Sequence, residues 1–407
     1  MFIKLPAPPV GAMKVFSMLT DFGFEPYFVG GCVRDRILGR DVNDWDIATN
    51  ATPDQVVSLF DHVVETGIQH GTVTVVEDGE HYEVTTYRVD GAYTDGRRPD
   101  TVTFTPNILD DLARRDFTIN AMAWDPLQEV LIDPFGGQLD ILQRSIKAVG
   151  DPYKRFAEDG LRSIRAVRFA SVLNFVIESK TVIAILESKE TFKLVSKERI
   201  RDELVKILRS PYPQKEFRLL LDLGFLDLFS ELEDRVKASG RALGEHHFFN
   251  CRRLPVQLAT LAVKYCHVRA EVFMKLLKFP LDITSRVVRI ANTSDLDVLC
   301  EKDSDVRRLL SQVGRDIFAD VFEYQHQINC NYRWLGVAQR VIELNAVADP
   351  LTIRELAVNG HDLIALGLKS GIEVGSALKY LLEKVWEDPS LNTKTQLLKL
   401  LPLPEEV

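Results

Sequence analysis

Two aspartates, Asp44 and Asp46, flank Trp45 in the run DVNDWDIAT. Extended backbone projects residues i and i+2 to one side, so the two carboxylates share a face and Trp45 takes the other. Acids held side by side repel one another unless a cation lies between them, and hard carboxylate oxygens suit Mg²⁺. Just upstream, the apolar run Tyr27–Val29 breaks at Gly30-Gly31, where the backbone can turn with positive φ and approach a ligand closely. The glycine amides and the guanidinium of Arg34 are donors suited to phosphate. A diphosphate-cradling turn followed by a metal-binding acid pair is the equipment for phosphoryl or nucleotidyl transfer.

Further along are residues that could complete such a site. Glu83 lies in a second β-branched run and reads either as a third carboxylate beside Asp44 and Asp46 or as a cross-strand partner for an arginine. In RRDFTINAMAW, Arg115 faces the cleft while Asp116 caps the segment that follows. The run AEDGLRSIRAVRFA reads as one helix with Glu158 and Asp159 in its first turn, where the dipole favours acids. Arg162, Arg165 and Arg168 form a stripe along it beside the apolar stripe Leu161, Ile164 and Val167. That arginine stripe is either a solvated face with local acid pairs or a site for an anion or a base; spacing leaves both open.

The elements that must hold these groups follow from patterning. Tyr27–Val29 and the segment carrying the acid pair read as short strands, with one or two helical turns over Val33–Leu38 between them. Thr72–Val76 and Tyr82–Tyr87 alternate around Asp78-Gly79, a hairpin signal. The glycine-rich run Asp90–Asp100 is a loop too long for a simple hairpin turn. LIDPFGG, starting at Leu131, reads as a short strand ending in a turn, and from Asp151 onward the pattern is almost entirely helical. Ser196 starts another helix to Leu208, stopped by Pro211 and Pro213.

At 407 residues, with 46% apolar and 27% charged residues, the chain is a soluble globular protein of two to four units. No apolar run approaches the length of a membrane span, and five scattered cysteines without a C-x-x-C point to reduced thiols in a cytoplasmic protein. A net charge of −9 argues mildly against nucleic acid, but the arginine clusters could line a basic cleft in an acidic protein.

The glycine turn coupled to D-x-D resembles the signature of the class II tRNA nucleotidyltransferases (CCA-adding enzymes) and bacterial poly(A) polymerases, whose catalytic core is similar to that of DNA polymerase β. Four further segments resemble the same family's motifs in the same order: RRDFTINAMA, DPFGG, EDGLRSIRAVRFA and SKERIRDEL. The tail segment LAVNGHDL is also similar. The resemblance implies an α+β protein with a polymerase-β-like nucleotidyltransferase head over residues 1–150, then a helical neck (151–214), body (215–346) and tail (347–407). It implies template-independent addition of CMP and AMP, from CTP and ATP, to the 3′ end of tRNA, with no membrane and no obligate protein partner.

Carried over by position, the resemblance gives Asp44 and Asp46 the metal, with Glu83 as the third carboxylate. Gly31, Arg34 and Arg115 would meet the triphosphate and sugar. Asp159 and Arg162 would face the incoming base, and Arg165 and Arg168 would support that pocket. Cytosine and adenine each present an amine donor beside a ring-nitrogen acceptor, which a carboxylate next to a guanidinium complements; uracil and guanine present the reverse. With the site empty, Asp159 and Arg162 are expected to pair with each other.

Longer relatives carry a His-Asp phosphohydrolase domain. Here His246-His247 reads as a polar joint and His361-Asp362 as a helix start, so no such activity is expected. The retained YTDGRRPD loop is consistent with adding the terminal A. The same motifs also admit an A-adding enzyme, a poly(A) polymerase or a non-catalytic RNA binder, although the acidic end LPLPEEV departs from the basic extension usual in the polymerases.

Overall fold

A computed structural model describes residues 5–65, 67–68, 71–91, 101–229, 251–293, 300–328, 330–344, 346 and 348–401. Residues 92–100, most of the loop noted above, and His246-His247 lie outside the described residues. The chain divides into two compact units, Met1–Glu231 and Leu232–Val407. No described helix is long and apolar enough to cross a membrane.

The first unit is α+β. In chain order it runs α1 (Val10–Asp21), β1 (Tyr27–Val29), α2 (Gly31–Ile37), β2 (Ile47–Thr49), α3 (Pro53–Leu59) and β3 (Val63–Val64). Then come β4 (Thr72–Glu77), β5 (Glu80–Thr86), β6 (Arg88–Asp90), β7 (Val102–Phe104) and α4 (Ile108–Ala113). A 3₁₀ turn (Thr118–Asn120), β8 (Ala123–Asp125), β9 (Val130–Ile132) and α5 (Gly137–Leu142) complete this part. Among the described residues a mixed seven-stranded sheet has the order β3-β4-β5-β2-β1-β8-β9. β1 runs antiparallel to both β2 and β8, while β2 is parallel to β5. The β4–β5 hairpin turns at Asp78-Gly79, both with positive φ, as the Asp-Gly pair predicts.

The acid pair sits just before β2 rather than within it. Alternation nevertheless persists: Asp44 is exposed, Trp45 buried and Asp46 half-buried. The carbonyl of Asp46 accepts the amide of Val29 at 3.0 Å, so the extended geometry continues past the end of the strand. Trp45 packs edge-on against Phe28, with ring centroids 5.0 Å apart, and Phe28 stacks on Phe16 of α1 at 5.2 Å. Burial of a large aromatic side chain, worth on the order of 2–3 kcal/mol, fixes the residue between the two aspartates.

After the head, α6 (Pro152–Glu158), α7 (Leu161–Leu173), α8 (Ser179–Glu187), α9 (Lys189–Leu194), α10 (Lys197–Leu208) and α11 (Phe217–Asp222) pack around the apolar side of α7. Leu161, Ile164 and Val167 are buried there, as the stripe predicts. This part is not wholly helical, because Val176–Ile177 pairs in parallel with Ser145–Ile146. A further difference matters for the site. AEDGLRSIRAVRFA is two helices, broken at Asp159, whose backbone is extended (φ −140°, ψ 109°). Gly160 follows the break, where a Cβ would lie 2.4 Å from the carbonyl oxygen of Thr191, so only glycine lets the two segments approach this closely.

The second unit is helical in its described residues. Its cores include one around Ile372–Glu387, with Leu363, Leu381, Val385 and Leu397 fully buried. Arg307, also buried, is held by Asp349 at 2.6 Å and by the carbonyl of Trp386 at 2.9 Å. His361 and Asp362 open the helix Gly360–Ala365 behind the capping residue Asn359, in keeping with the helix-start reading.

The contact at Gly160 is with backbone, which cannot swing aside. Gly160→Ala is expected to destabilise the first unit by about 1–3 kcal/mol and to lower its melting temperature by several degrees. Thermal unfolding followed by circular dichroism measures this; an unchanged midpoint would mean that the chain at Thr191 yields freely.

Candidate active site

The glycine turn begins the site. Gly30 has φ 74° and α2 starts at Gly31, so the break in β1 becomes a helix N-terminus within a single step. A Cβ at Gly30 would lie 3.0 Å from Nη1 of Arg115 and 3.9 Å from Oδ2 of Asp46, so both groups face this turn and leave room for hydrogen only. Arg34 is buried and donates to Oδ1 of Asn120 at 2.6 Å and to Asp35 at 2.7 Å. Arg115 is held by Asp111 at 3.0 Å, and Asp111 also takes Arg114 at 2.7 Å. Burial pushes the Asp111 carboxyl up, but Arg115 and Arg114 outweigh it and hold the group below the usual carboxylate range.

Asp116 only in part fills the capping role read from sequence. It accepts the amide of Phe117 at 2.8 Å and Nδ2 of Asn120 at 3.1 Å, but the 3₁₀ turn that follows starts beyond it. Its other oxygen receives two bonds from Arg165, at 2.6 and 2.8 Å. Burial raises this carboxyl, yet Arg165 and Asn120 overcome the effect and bring it down to about 2.

The arginine stripe on α7 is not a solvated face. Arg162 is 9% exposed, and its guanidinium donates to Glu158 and to the carbonyls of Arg155 and Arg114, each carbonyl at 3.0 Å. Arg168 pairs with Glu203 of α10 at 2.6 Å. Arg34, Arg165 and Arg168 all lie over the ring of Phe169, at 5.2, 5.4 and 3.9 Å from its centroid.

The expected Asp159–Arg162 side-chain pair does not form. Because the helix is broken at Asp159, this residue leaves the i, i+3 geometry; its carboxylate instead accepts Arg199 of α10 at 2.9 and 3.2 Å and the amide of Leu161 at 3.0 Å. Sequence reading missed Arg199 as part of this site. Its position in SKERIRDEL was the available signal, but its partner lies forty residues upstream.

One cleft of about 970 Å³ gathers these groups. Gly31, Arg34, Asp44, Asp46, Glu83, Arg115, Asp159, Arg162, Arg165 and Arg168 all line it, with Asn120, His81, Thr74 and Arg199. The acids before β2 and the arginines of α7 therefore share one cavity, although more than a hundred residues separate them in the chain. Its two walls carry opposite charge.

Burial lifts the Asp46 carboxyl to about 6, with the charges of Glu83 and Asp44 adding to the rise and Arg115 opposing it. Such an excess of negative charge calls for a cation. Among the described residues no group of three or more His, Cys, Asp or Glu side chains could cage a metal unaided. Mg²⁺ is commonly bound by one or two carboxylates, with water and substrate phosphate supplying the rest, so Asp44 and Asp46 fit it.

Residues 26–147 match the Poly A polymerase head domain, 174–235 the probable RNA and SrmB-binding site of polymerase A, and 256–401 a putative tRNA nucleotidyltransferase domain 2. The chain is 39% identical over 383 residues to a CCA-adding enzyme of Lactobacillus helveticus, covering 94% of each. It belongs to the CCA-adding enzyme family. A relative from Listeria monocytogenes carries the same name at 36% identity, with 92% of each chain covered. Among solved structures, the Bacillus stearothermophilus CCA-adding enzyme in complex with CTP matches with a TM-score of 0.78 at 31% identity, covering 97% of this chain and 98% of its own. The Thermotoga maritima CCA-adding enzyme complexed with tRNA-CCA, at 19% identity and a TM-score of 0.63, shares the fold.

A carboxyl raised from its usual 3.8 to about 6 weakens the fold as pH climbs through that interval, because the native state must give up a proton it holds more tightly than the unfolded chain does. Asp46→Asn is expected to stabilise the protein at pH 8 by up to about 3 kcal/mol and to have little effect at pH 4. Melting temperatures of both proteins across pH 4–8 would give a difference that opens between about pH 4 and pH 6 and levels off above it; a constant difference would contradict the electrostatic cause.

Proposed function

We propose that this protein completes the 3′ end of tRNA, adding CMP and AMP from CTP and ATP without a nucleic-acid template and releasing diphosphate, in the cytoplasm and with Mg²⁺. The observation that carries the reading is the single cleft with an acid wall and an arginine wall. The family membership supports it from the side of sequence.

In this reading Asp44 and Asp46 hold the metal and Glu83 is the third carboxylate. Bound there, Mg²⁺ would supply Lewis-acid activation of the primer hydroxyl and charge neutralisation at the triphosphate. Gly31 offers its amide at a helix start, Arg34 and Arg115 offer guanidinium donors, and together they orient the triphosphate and sugar for in-line attack at the α-phosphorus. Asp111 holds Arg115, and Asn120 holds Arg34, so both guanidinium groups are aimed before the nucleotide arrives.

Asp159 and Arg162 face the base. The Asp159 carboxylate accepts the exocyclic amine of cytosine or adenine, and Arg162 donates to the neighbouring ring nitrogen. Arg199 satisfies Asp159 in the empty cleft and yields as the base enters. Arg165 and Arg168 support the pocket through Asp116 and Glu203. For division of labour we propose a head to about residue 150, a base-reading neck to 214, and a body (215–346) and tail (347–407) that bind tRNA.

Purified protein given a tRNA lacking its last three nucleotides is expected to incorporate label from CTP, and from ATP once CTP is present, but none from UTP or GTP. Asp44→Ala and Asp46→Ala should each slow this by at least about 100-fold. Wild-type rates in either variant would refute the assignment, long A tails would indicate poly(A) polymerase, and A added only to a tRNA ending in CC an A-adding enzyme.

A further inference from the structure

Beside Glu83 on β5, the same strand face carries His81, which also lines the cleft. Burial alternates along the strand: Tyr82 and Val84 are buried, while His81 and Glu83 are exposed. The register between β2 and β5 pairs Ile47 with Val84. Continued toward the acids, it sets Asp46 level with Glu83 and Asp44 level with His81. An imidazole thus stands next to the more exposed aspartate as Glu83 stands next to the more buried one, about 7 Å apart along the strand. Among the described residues none forms a hydrogen bond or ion pair with the His81 side chain.

Sheet order tells which substrate this side of the acids meets. Across the edge the sequence is β5, β2, β1, β8. The phosphate donors, Gly31 and Arg34 after β1 and Arg115 before β8, all lie on the far side of Asp44 and Asp46 from β5. A triphosphate held there leaves the β5 flank, with His81 and Thr74, to the group that attacks it. In-line transfer fits this, because the attacking oxygen enters the α-phosphorus on the side opposite the bond to the departing diphosphate.

We propose that His81 is a contact for the RNA acceptor, donating a hydrogen bond from its imidazole N–H to the ribose-phosphate of the 3′-terminal nucleotide and steadying that nucleotide beside Asp44. The inference rests on the function proposed above and adds a residue on the primer side. An imidazole carries an N–H donor in either charge state, so the contact does not depend on protonation. In an otherwise acidic flank it is the group suited to a phosphodiester or a ribose hydroxyl.

Steady-state kinetics of the full chain, with tRNA lacking its last three nucleotides and CTP each varied in turn, test this. His81→Ala is expected to raise KM for the tRNA roughly 3–10-fold while KM for CTP and the melting temperature stay unchanged. His81→Gln, which keeps a side-chain N–H, should recover much of the loss. Equal KM values for tRNA in wild type and His81→Ala would overturn the inference, as would a parallel rise in KM for CTP. If wild-type protein fails to label the tRNA, the underlying function is refuted and this contact with it; if wild type labels and the variant matches it, the contact alone falls.

Discussion

The site depends on how α7 is held against the segment between α4 and β8. Arg165 grips Asp116 with two hydrogen bonds, and Arg162 reaches the carbonyl of Arg114, so two consecutive turns of the helix are tied to one short segment of the head. Both ties are charge-assisted and partly buried, which strengthens such bonds and makes an unpaired partner costly. Phe169 on the same helix lies beneath three guanidinium groups, one of them Arg34 from the glycine turn. Without this clamp the head would offer an acid edge and the neck an arginine stripe, with no common space between them.

Each wall is prepared in its own way. On the acid side, an aromatic anchor does the positioning: Trp45 is driven into the core against Phe28, and the two residues flanking it have nowhere to go except outward. Burial, with the charges of Glu83 and Asp44 adding to it, leaves the Asp46 carboxyl raised to about 6. On the arginine side the guanidinium groups already have acidic partners, some of them shared, as Asp111 is by Arg114 and Arg115, so the wall is held in place yet stays positive. In the function proposed above, the base exchanges partners on the arginine wall, and a cation would relieve the crowding of negative charge on the other.

Much of this was legible in the residues themselves. Period-two alternation around Trp45 correctly set Asp44 and Asp46 on one face, although the regular strand begins only at Ile47, because alternation needs extended backbone and not ladder bonds. The Asp78-Gly79 hairpin followed from turn chemistry that few other residues satisfy. Gly160 was harder to interpret. A lone glycine inside a helical pattern is usually tolerated, and the extended backbone of the break at Asp159 and the close approach of Thr191 to Gly160 are both tertiary features. The pairing of Asp159 with Arg199, rather than with Arg162, follows from that break and from the docking of α10, neither of which local spacing encodes. Short parallel pairing between Ser145–Ile146 and Val176–Ile177 escaped for the same reason: two residues carry too little pattern to announce a strand.

A crystal structure with CTP and Mg²⁺ bound tests the two-walled cleft most directly. The account predicts the triphosphate against Gly31, Arg34 and Arg115, the metal between it and the carboxylates of Asp44 and Asp46, and the cytosine edge between Asp159 and Arg162, with Arg199 displaced from the carboxylate. A cytosine pointing away from α7, with the Asp159–Arg199 pair intact, would contradict it.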